Sequence, residues 1–393
     1  MADPSAPETR EFYRTMRAAN PVFFDEKTHT WCIFRYDDVK SVLMDWQGFS
    51  SDYGRLLPGS LLDRVFMKNM NALDPPRHGR LRGLVSRAFT PRAIADLEPF
   101  IVRTTNQLLD KVSEQGKCEL NSDLASVLPT AVIGELLGLP QSDHLIFRQL
   151  TEGILANLQK AMNMEPLDVR MDEQFDGYCR QLLAERRARP QSDLLSHLLA
   201  AEVEGERLTD EELLTFCRQL IAAGISTSGH LISNAIMTLL QYPAELNRLR
   251  ADERLLPSAL EEVLRFQPPT TVWFRVAGRD LELRGQQIRA KQSVMVFLAS
   301  ANRDETVFPE PDRFDIGRTP NNHLSFSTGI HFCIGAPLAR LEGRLAVRAI
   351  LDRLPELALD SDGPLEMYPN MIFNGVARLP LRFRPSSSGS PGA

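Results

Sequence analysis

The chain is predicted to be mainly α with a smaller β-rich region. Helical-period apolar residues run from Ala93 to Leu139 and again from Ser258 to Arg265, and a far longer apolar helix is expected between Thr209 and Gln241. Strand patterning is confined to short runs such as Trp31 to Tyr36 and Thr270 to Arg275. Hydrophobic residues make up 43% and charged residues 24%, as in an ordinary globular protein. The formal net charge of −6 argues against a general binder of nucleic acid or anionic membrane. Met1 to Arg14 carries no apolar core and no apolar run is long enough to span a bilayer, so neither signal peptide nor membrane segment is expected. Cys32, Cys118, Cys179, Cys217 and Cys333 are odd in number and widely spaced, which fits a reducing cytoplasm. Residues 386–393 are Ser/Gly/Pro-rich and are expected to be disordered.

Taken in order, Trp31 to Tyr36 reads as a strand leading into a helix capped at Asp37-Asp38. Leu61, Phe66 and Met70 lie on an amphipathic piece that could line a pocket or pack as an ordinary surface helix. Asp74-Pro75-Pro76 opens a helix on which His78 and Arg82, spaced i and i+4, project from one face and could meet one anionic group. Met162, Met164 and Met171 surround a break near Pro166 between two helices, suited to an adaptable apolar lid or to plain packing.

Thr209 with Asp210-Glu211-Glu212 starts the long helix, and Tyr242-Pro243 stops it. Within it, Ala223-Gly224-Ile225-Ser226-Thr227-Ser228-Gly229 thins the helix with small residues whose hydroxyls can bond back to carbonyls. His230 lies roughly on the face of Thr227, as a relay for protons or as part of the helix wall. Glu262 and Arg265 stand one turn apart. Pro268-Pro269 ends that helix, and Thr271, Val272, Trp273 and Arg275 continue as a strand.

Near the C-terminus, Phe326-Ser-Thr-Gly-Ile-His-Phe-Cys-Ile-Gly-Ala-Pro-Leu-Ala-Arg-Leu-Glu342 places Cys333 between a glycine turn and a helix N-terminus. The helix dipole and its free N–H groups are expected to favour the thiolate, a soft ligand for iron. Gly329 and Gly335 would let a flat macrocycle approach the backbone.

The string Phe326-x-x-Gly329-x-His331-x-Cys333-x-Gly335 resembles the heme-binding loop of the cytochrome P450 family, and matches in the same order run along roughly the whole chain. The resemblance implies a cytochrome P450-like fold as a single domain over residues 1–385, with heme b (iron protoporphyrin IX) as cofactor. It implies Cys333 as axial iron ligand, and His78, Arg82, Arg275 and His331 as holders of the propionates. It makes Thr227, with Ala223 and Gly224, the group that handles oxygen. Glu262, Arg265 and Arg313 match its structural network. Leu61, Phe66, Met70, Thr271, Val272, Trp273 and Ile372 fall where it places substrate. Two departures stand out: Ser327 where glycine is frequent, and Ser226 where the family carries the acid of Ala-Gly-x-acid-Thr. A serine cannot serve as the ionisable shuttle.

The implied function is insertion of one oxygen atom from O2 into an apolar or aromatic small molecule, by hydroxylation or epoxidation, in natural-product biosynthesis. Electrons are expected from a ferredoxin-type donor and its reductase, since no flavin or iron–sulfur segment is present, with Arg80, Arg87, Arg92, Arg340 and Arg344 as a basic docking face. Neither nucleic acid nor membrane is an expected partner, and the location is expected to be cytoplasmic. Ser226 keeps open an atypical reaction on the same scaffold, either peroxide-driven, phenol-coupling, or on a carrier-protein-bound substrate. A non-catalytic heme protein, or zinc held by His323, His331 and Cys333, remains an alternative.

Overall fold

The computed structural model describes residues 3–4, 6–61, 63, 69–162, 165–203, 205–361, 363–368 and 371–385. Phe66, Met164 and the segment 386–393 lie outside the described residues. Helices of nine or more residues among them are α1 (Pro7–Ala19), α2 (Tyr36–Met44), α3 (Arg77–Ala88), α4 (Glu98–Asp110), α5 (Val127–Leu136), α6 (His144–Met162), α7 (Val169–Ala188), α8 (Asp210–Gln241), α9 (Pro243–Ala251), α10 (Leu256–Phe266) and α11 (Ala336–Arg353).

Helix α8, at 32 residues, begins in a complete capping box: Thr209 Oγ1 accepts from the Glu212 N–H while the Glu212 carboxylate accepts from the Thr209 N–H. It ends at Tyr242, before the Pro243 that opens α9. Around it pack α5, α6, α7, α9, α10 and α11. Leu213, Cys217, Ile221, Ile232 and Ile236 of α8 are fully buried in one large core with Leu128 and Val132 of α5 and Val347 and Ile350 of α11. Each such aliphatic side chain contributes about 2 kcal/mol by leaving water. Among the described residues α8 alone is long and apolar enough to cross a membrane, and 72% of its apolar window is buried inside the fold, which makes it a core helix.

The β-rich region holds a sheet of five strands, β1 (Val22–Asp25), β2 (Thr30–Ile33), β3 (Phe49–Ser50), β5 (Val272–Ala277) and β8 (Ser293–Phe297), in the order β1-β2-β8-β5-β3. Strands β2 and β8 run parallel; the other pairings are antiparallel. Strand β4 (Lys117–Glu119) pairs with β10 (Pro380–Arg382), which also holds β9 (Ala358–Leu359), while β6 (Leu281–Leu283) and β7 (Gln286–Ile288) form a hairpin. Strand β4 interrupts the stretch Ala93 to Leu139 that periodicity reads as helices alone. Three residues are too few for a period-2 signal, and their partner strand is distant in sequence. The break expected near Pro166 falls between α6 and α7.

Candidate active site

Cys333 is carried by a loop between a short 3-10 turn, Gly329–His331, and α11. Its N–H donates to the Phe326 carbonyl at 2.9 Å, and the Ala336 N–H reaches back to the Cys333 carbonyl at 3.4 Å. Gly329 adopts φ +67°, and a Cβ there would stand 3.2 Å from the Leu43 carbonyl oxygen and from Met44 Cα of α2, so only glycine fits. Ser327 also takes a left-handed φ of 60°, the conformation that glycine accepts without strain. Gly335 faces the thiol: an added Cβ would touch only Cys333 Sγ, at 3.8 Å. Arg340 lies over the Phe326 ring at 4.5 Å and makes a two-pronged bond to Glu261, at 2.7 and 2.8 Å. Burial opposes ionisation of Glu261, but Arg340 and His323 outweigh it and hold the carboxyl at about 2.

At the free thiol, burial and the local positive charge act in opposite directions. Burial pushes the Cys333 thiol up, and the N–H groups of Gly335 and Ala336 with the charges of Arg82 and Arg340 offset only part of that rise. Helix-terminal stabilisation is present but is outweighed by desolvation of the charged form.

Four basic side chains from three segments meet on one side of this loop. His78 of α3 and His331 have ring centroids 4.3 Å apart, and Arg82 lies close enough for its charge to act on Cys333. Burial, then Arg82 and Arg275, pushes His78 down to about 4. Burial, then Arg275, His78 and Arg82, pushes His331 down to about 2. Arg275 is 1% exposed on β5; one Nη donates to the Phe274 carbonyl at 2.7 Å. Three buried nitrogens here, His78 Nε2, His331 Nε2 and Arg275 Nη2, have no hydrogen-bond partner. Such groups are costly unless a ligand completes them. Carboxylates would complete them, and the two propionates of a heme would supply that chemistry.

Across α8 the burial pattern breaks where the small residues lie. Ala223 is exposed and Gly224, Ser226 and Thr227 are half-buried, whereas Leu220, Ile221 and the run from Ser228 to Leu239 are buried. Solvent therefore reaches the middle of a helix that is buried on either side of this stretch. Thr227 Oγ1 donates to the Ala223 carbonyl at 2.5 Å, yet the helix stays continuous. Gly224 does not create the opening: a Cβ there would meet Ile133 Cδ1 of α5 at 3.1 Å, so this glycine allows two helices to close. His230 is a wall residue, buried against Tyr368 with centroids 4.9 Å apart, and burial pushes it down to about 4.

Sequence reading misplaces two groups. Glu262 and Arg265 are both 0% exposed and bonded at 2.8 Å through two parallel contacts. The second arginine side chain on Glu262 is Arg318, at 3.1 and 3.2 Å, not Arg313. Arg313 points outward to Glu310 at 3.1 Å, and contributes only its carbonyl, which accepts from Arg265 and Arg318. Among the pocket candidates, Val272 is fully buried in the core with Tyr13, Phe34 and Phe297. Alternation along β5 puts Thr271, Trp273 and Arg275 on one face and Val272 on the other. Thr271 Oγ1 is tied to the carbonyls of Met371 and Ile372. Trp273 and Ile372 are half-buried, Leu61 is exposed, and Met70 is buried against Leu73 and Leu81, its N–H bonded to Gln219 of α8 at 3.1 Å.

The arginines expected as a docking face are largely engaged. Arg80 pairs with Glu212 and Glu206, Arg87 with the Glu202 carbonyl, Arg340 with Glu261, and Arg344 with Glu98 at 3.6 Å. His323 is held by Glu261 and by the Ser325 N–H, away from any shared ion with Cys333. All five cysteines are free thiols. One residue of the cysteine string had no role legible in the sequence: Glu342 of α11 is 1% exposed, with Oε2 unpartnered. Only its place beside α8, invisible in one dimension, singles it out.

Comparison with known proteins agrees with this geometry. A family model described as Cytochrome P450 matches residues 21–384. The chain is 40% identical to the cytochrome P450 monooxygenase PikC of Streptomyces venezuelae, over 95% of this chain and 90% of that protein. It is 38% identical to the cyclomarin C epoxidase CymV of Salinispora arenicola, over 94% and 95% respectively. The crystal structure of CYP109E1 from Bacillus megaterium in complex with testosterone superposes with a TM-score of 0.87 at 36% identity, covering 95% of this chain and 98% of that one. With a family model over most of its length and relatives of this identity, the chain belongs to the cytochrome P450 family, heme-thiolate monooxygenases whose cofactor is heme b.

Proposed function

We propose that this monooxygenase inserts one oxygen atom from O2 into an apolar or aromatic small molecule of natural-product biosynthesis, by hydroxylation or epoxidation. The observation that carries the reading is the opening of α8 at Ala223 to Thr227, whose polar side chains are the two hydroxyls of Ser226 and Thr227. Trp273 on the Arg275 face of β5, with Ile372 bonded to Thr271, offers half-buried apolar surface on the side of the basic cradle. An epoxidase and a testosterone-binding structure among the relatives support the substrate class.

In this reading Cys333 would ligate the heme iron, and His78, Arg82, Arg275 and His331 would hold the propionates. Bound heme supplies the activation of O2, the thiolate ligand donating electron density that favours O–O cleavage. The chain's own part is positional and electrostatic. The two arginines neutralise the propionates, and the loop N–H groups of Gly335 and Ala336 steady the sulfur. Thr227 holds a hydroxyl at this opening, its proton donated to the Ala223 carbonyl, so that its oxygen can accept a hydrogen bond from a small polar group. Electrons come from a ferredoxin-type donor with its reductase.

The experiment is a screen of apolar metabolites for a heme spin-state shift, followed by turnover of the best binder under 18O2 with ferredoxin and reductase. Incorporation of one labelled oxygen atom per product is expected; unlabelled product would overturn the reading. Ser226 favours one second reading, a peroxide-driven oxidation, which predicts faster product formation with hydrogen peroxide than with the reductase system.

A further inference from the structure

Positive charge is unevenly compensated around the end of α10. Arg265 and Arg303 both donate to the Pro311 carbonyl, at 2.9 and 3.5 Å, so two guanidinium groups lie side by side in the interior. Arg265 has the buried carboxylate of Glu262 to itself on two nitrogens. Arg303 is 1% exposed, and among the described residues the one carboxylate bonded to it is Asp312, at 3.2 Å. Asp312 is partly open to solvent and also receives Arg14, at 2.8 Å. A carboxylate shared in this way compensates a buried arginine only in part.

The donors of Arg303 are incomplete as well. Nη2 donates to the Phe266 carbonyl at 2.8 Å and Cζ lies 4.1 Å from the centre of the Phe266 ring, but Nε is buried without a partner. Arg10 of α1 has the same defect: its Nε is buried and unpartnered, and among the described residues Arg10 makes no ion pair. It precedes Tyr13 and Arg17 on the inward face of α1. Burial, then Arg265 and Arg10, pushes the Arg303 guanidinium down to about 10, with Asp312 and Tyr242 offsetting part of that fall. The other charged groups on this face are engaged, Arg17 by Glu305 at 2.8 Å and Asp3 by Gln267 Nε2 at 3.3 Å. Water could satisfy the two N–H groups, but it would leave the like charges uncompensated.

We propose that the unpartnered Nε groups of Arg10 and Arg303, between α1 and the end of α10, hold a small inorganic anion of the halide class. A halide suits the place because it carries one charge and accepts N–H groups from any direction. Carboxylate and phosphate prefer the two-pronged edge made by Nε and Nη2, and Nη2 of Arg303 is already engaged by the Phe266 carbonyl. The bound anion offsets the repulsion among Arg303, Arg265 and Arg10. It ties the N-terminal helix to the end of α10 and to Pro311 and Asp312, in the segment that leads to the cysteine loop. Its role is to hold the fold, and it is independent of the oxidation chemistry proposed above.

The test melts the heme-loaded full chain in sodium chloride and in sodium gluconate at equal ionic strength, as wild type, Arg10→Met and Arg303→Lys. Wild type is expected to melt about 1–3 °C higher in chloride, with a response that saturates as chloride rises. Arg10→Met and Arg303→Lys should both lose that response. In gluconate Arg10→Met should melt no lower than wild type, because an uncompensated positive charge has been removed, whereas in chloride it should melt lower. An arginine that acted by packing alone would lower the melting temperature equally in both salts, and that result overturns the proposal. So does a wild-type chloride response that survives in Arg10→Met. Crystals soaked in sodium bromide should show an anomalous peak within hydrogen-bonding distance of Arg303 Nε and Arg10 Nε; water at that position, with bromide elsewhere or nowhere, sinks the assignment. If Arg303→Lys fails to fold, the Arg10→Met melts and the bromide peak decide the question without it.

Discussion

Arg265 and Arg275 are both buried arginines, and the contrast between them separates structure from function. All five N–H groups of Arg265 are taken: two by Glu262, and the rest by the carbonyls of Asn302, Pro311 and Arg313. Its carboxylate partner is equally complete, receiving Arg318, Asn321 and the Asp315 N–H. Around Arg275 the reverse holds, with unpartnered nitrogens on Arg275, His78 and His331. A satisfied network locks the segment that leads to the cysteine loop. An unsatisfied one waits for an anion, because buried donors without acceptors persist only where a ligand completes them.

The largest expected effect lies at the ligand between these regions. Cys333→Ala should abolish the red-shifted carbon monoxide band and turnover together, with the fold retained by circular dichroism. Next, the two arginines should part company. Arg265→Ala is expected to cost about 3–5 kcal/mol of stability with or without heme, since it removes the two parallel bonds to buried Glu262, leaving Arg318 as its one arginine partner, and strands the carbonyls of Asn302 and Pro311. Arg275→Ala should barely change apoprotein melting, yet raise the rate of heme loss to an acceptor globin about tenfold or more. Equal melting penalties would erase the distinction.

A smaller effect concerns His230, whose imidazole burial pushes down to about 4, against an unfolded value of about 6.5. The neutral form is favoured in the fold, so its contribution is complete above about pH 6.5 and is lost as pH falls towards 4. His230→Gln should therefore flatten the decline in melting temperature over that window. Smallest of all, Arg313→Ala should lie within about 0.5 kcal/mol of wild type, whereas Arg318→Ala should resemble Arg265→Ala.

These residues also show what the sequence could reveal. The limits of α8 were legible because a capping box and a Tyr-Pro stop act locally. The cysteine loop was legible because glycine, proline and cysteine at fixed spacing answer to backbone geometry. Arg318 was not: the segment from Phe308 to Asn321 carries two arginines without regular periodicity, and only the folded path decides which side chain turns inward. The face of Val272 depended on strand register, where one step reverses inside and outside. Glu342 stood in plain view within a recognised string, but its burial with Oε2 unpartnered follows from the packing of α11 against α8, which no local pattern encodes.

The parallel pairing of β2 with β8 has a consequence for how the protein is made. Residues Thr30–Ile33 pair locally with Val22–Asp25 but find their second neighbour in Ser293–Val296, so the N-terminal strands emerge from the ribosome long before their sheet can close. Long-range pairing of this kind delays folding, because chain closure must precede the contacts that reward it. Meanwhile β1 and β2, with buried residues such as Trp31, Cys32 and Ile33, present an unfinished apolar edge. Since Cys333 follows β8, the cofactor has no complete seat until the sheet's last strand has been synthesised. Heme capture is thereby a late event in biogenesis, and chaperone protection of the first strands is the requirement that this topology imposes.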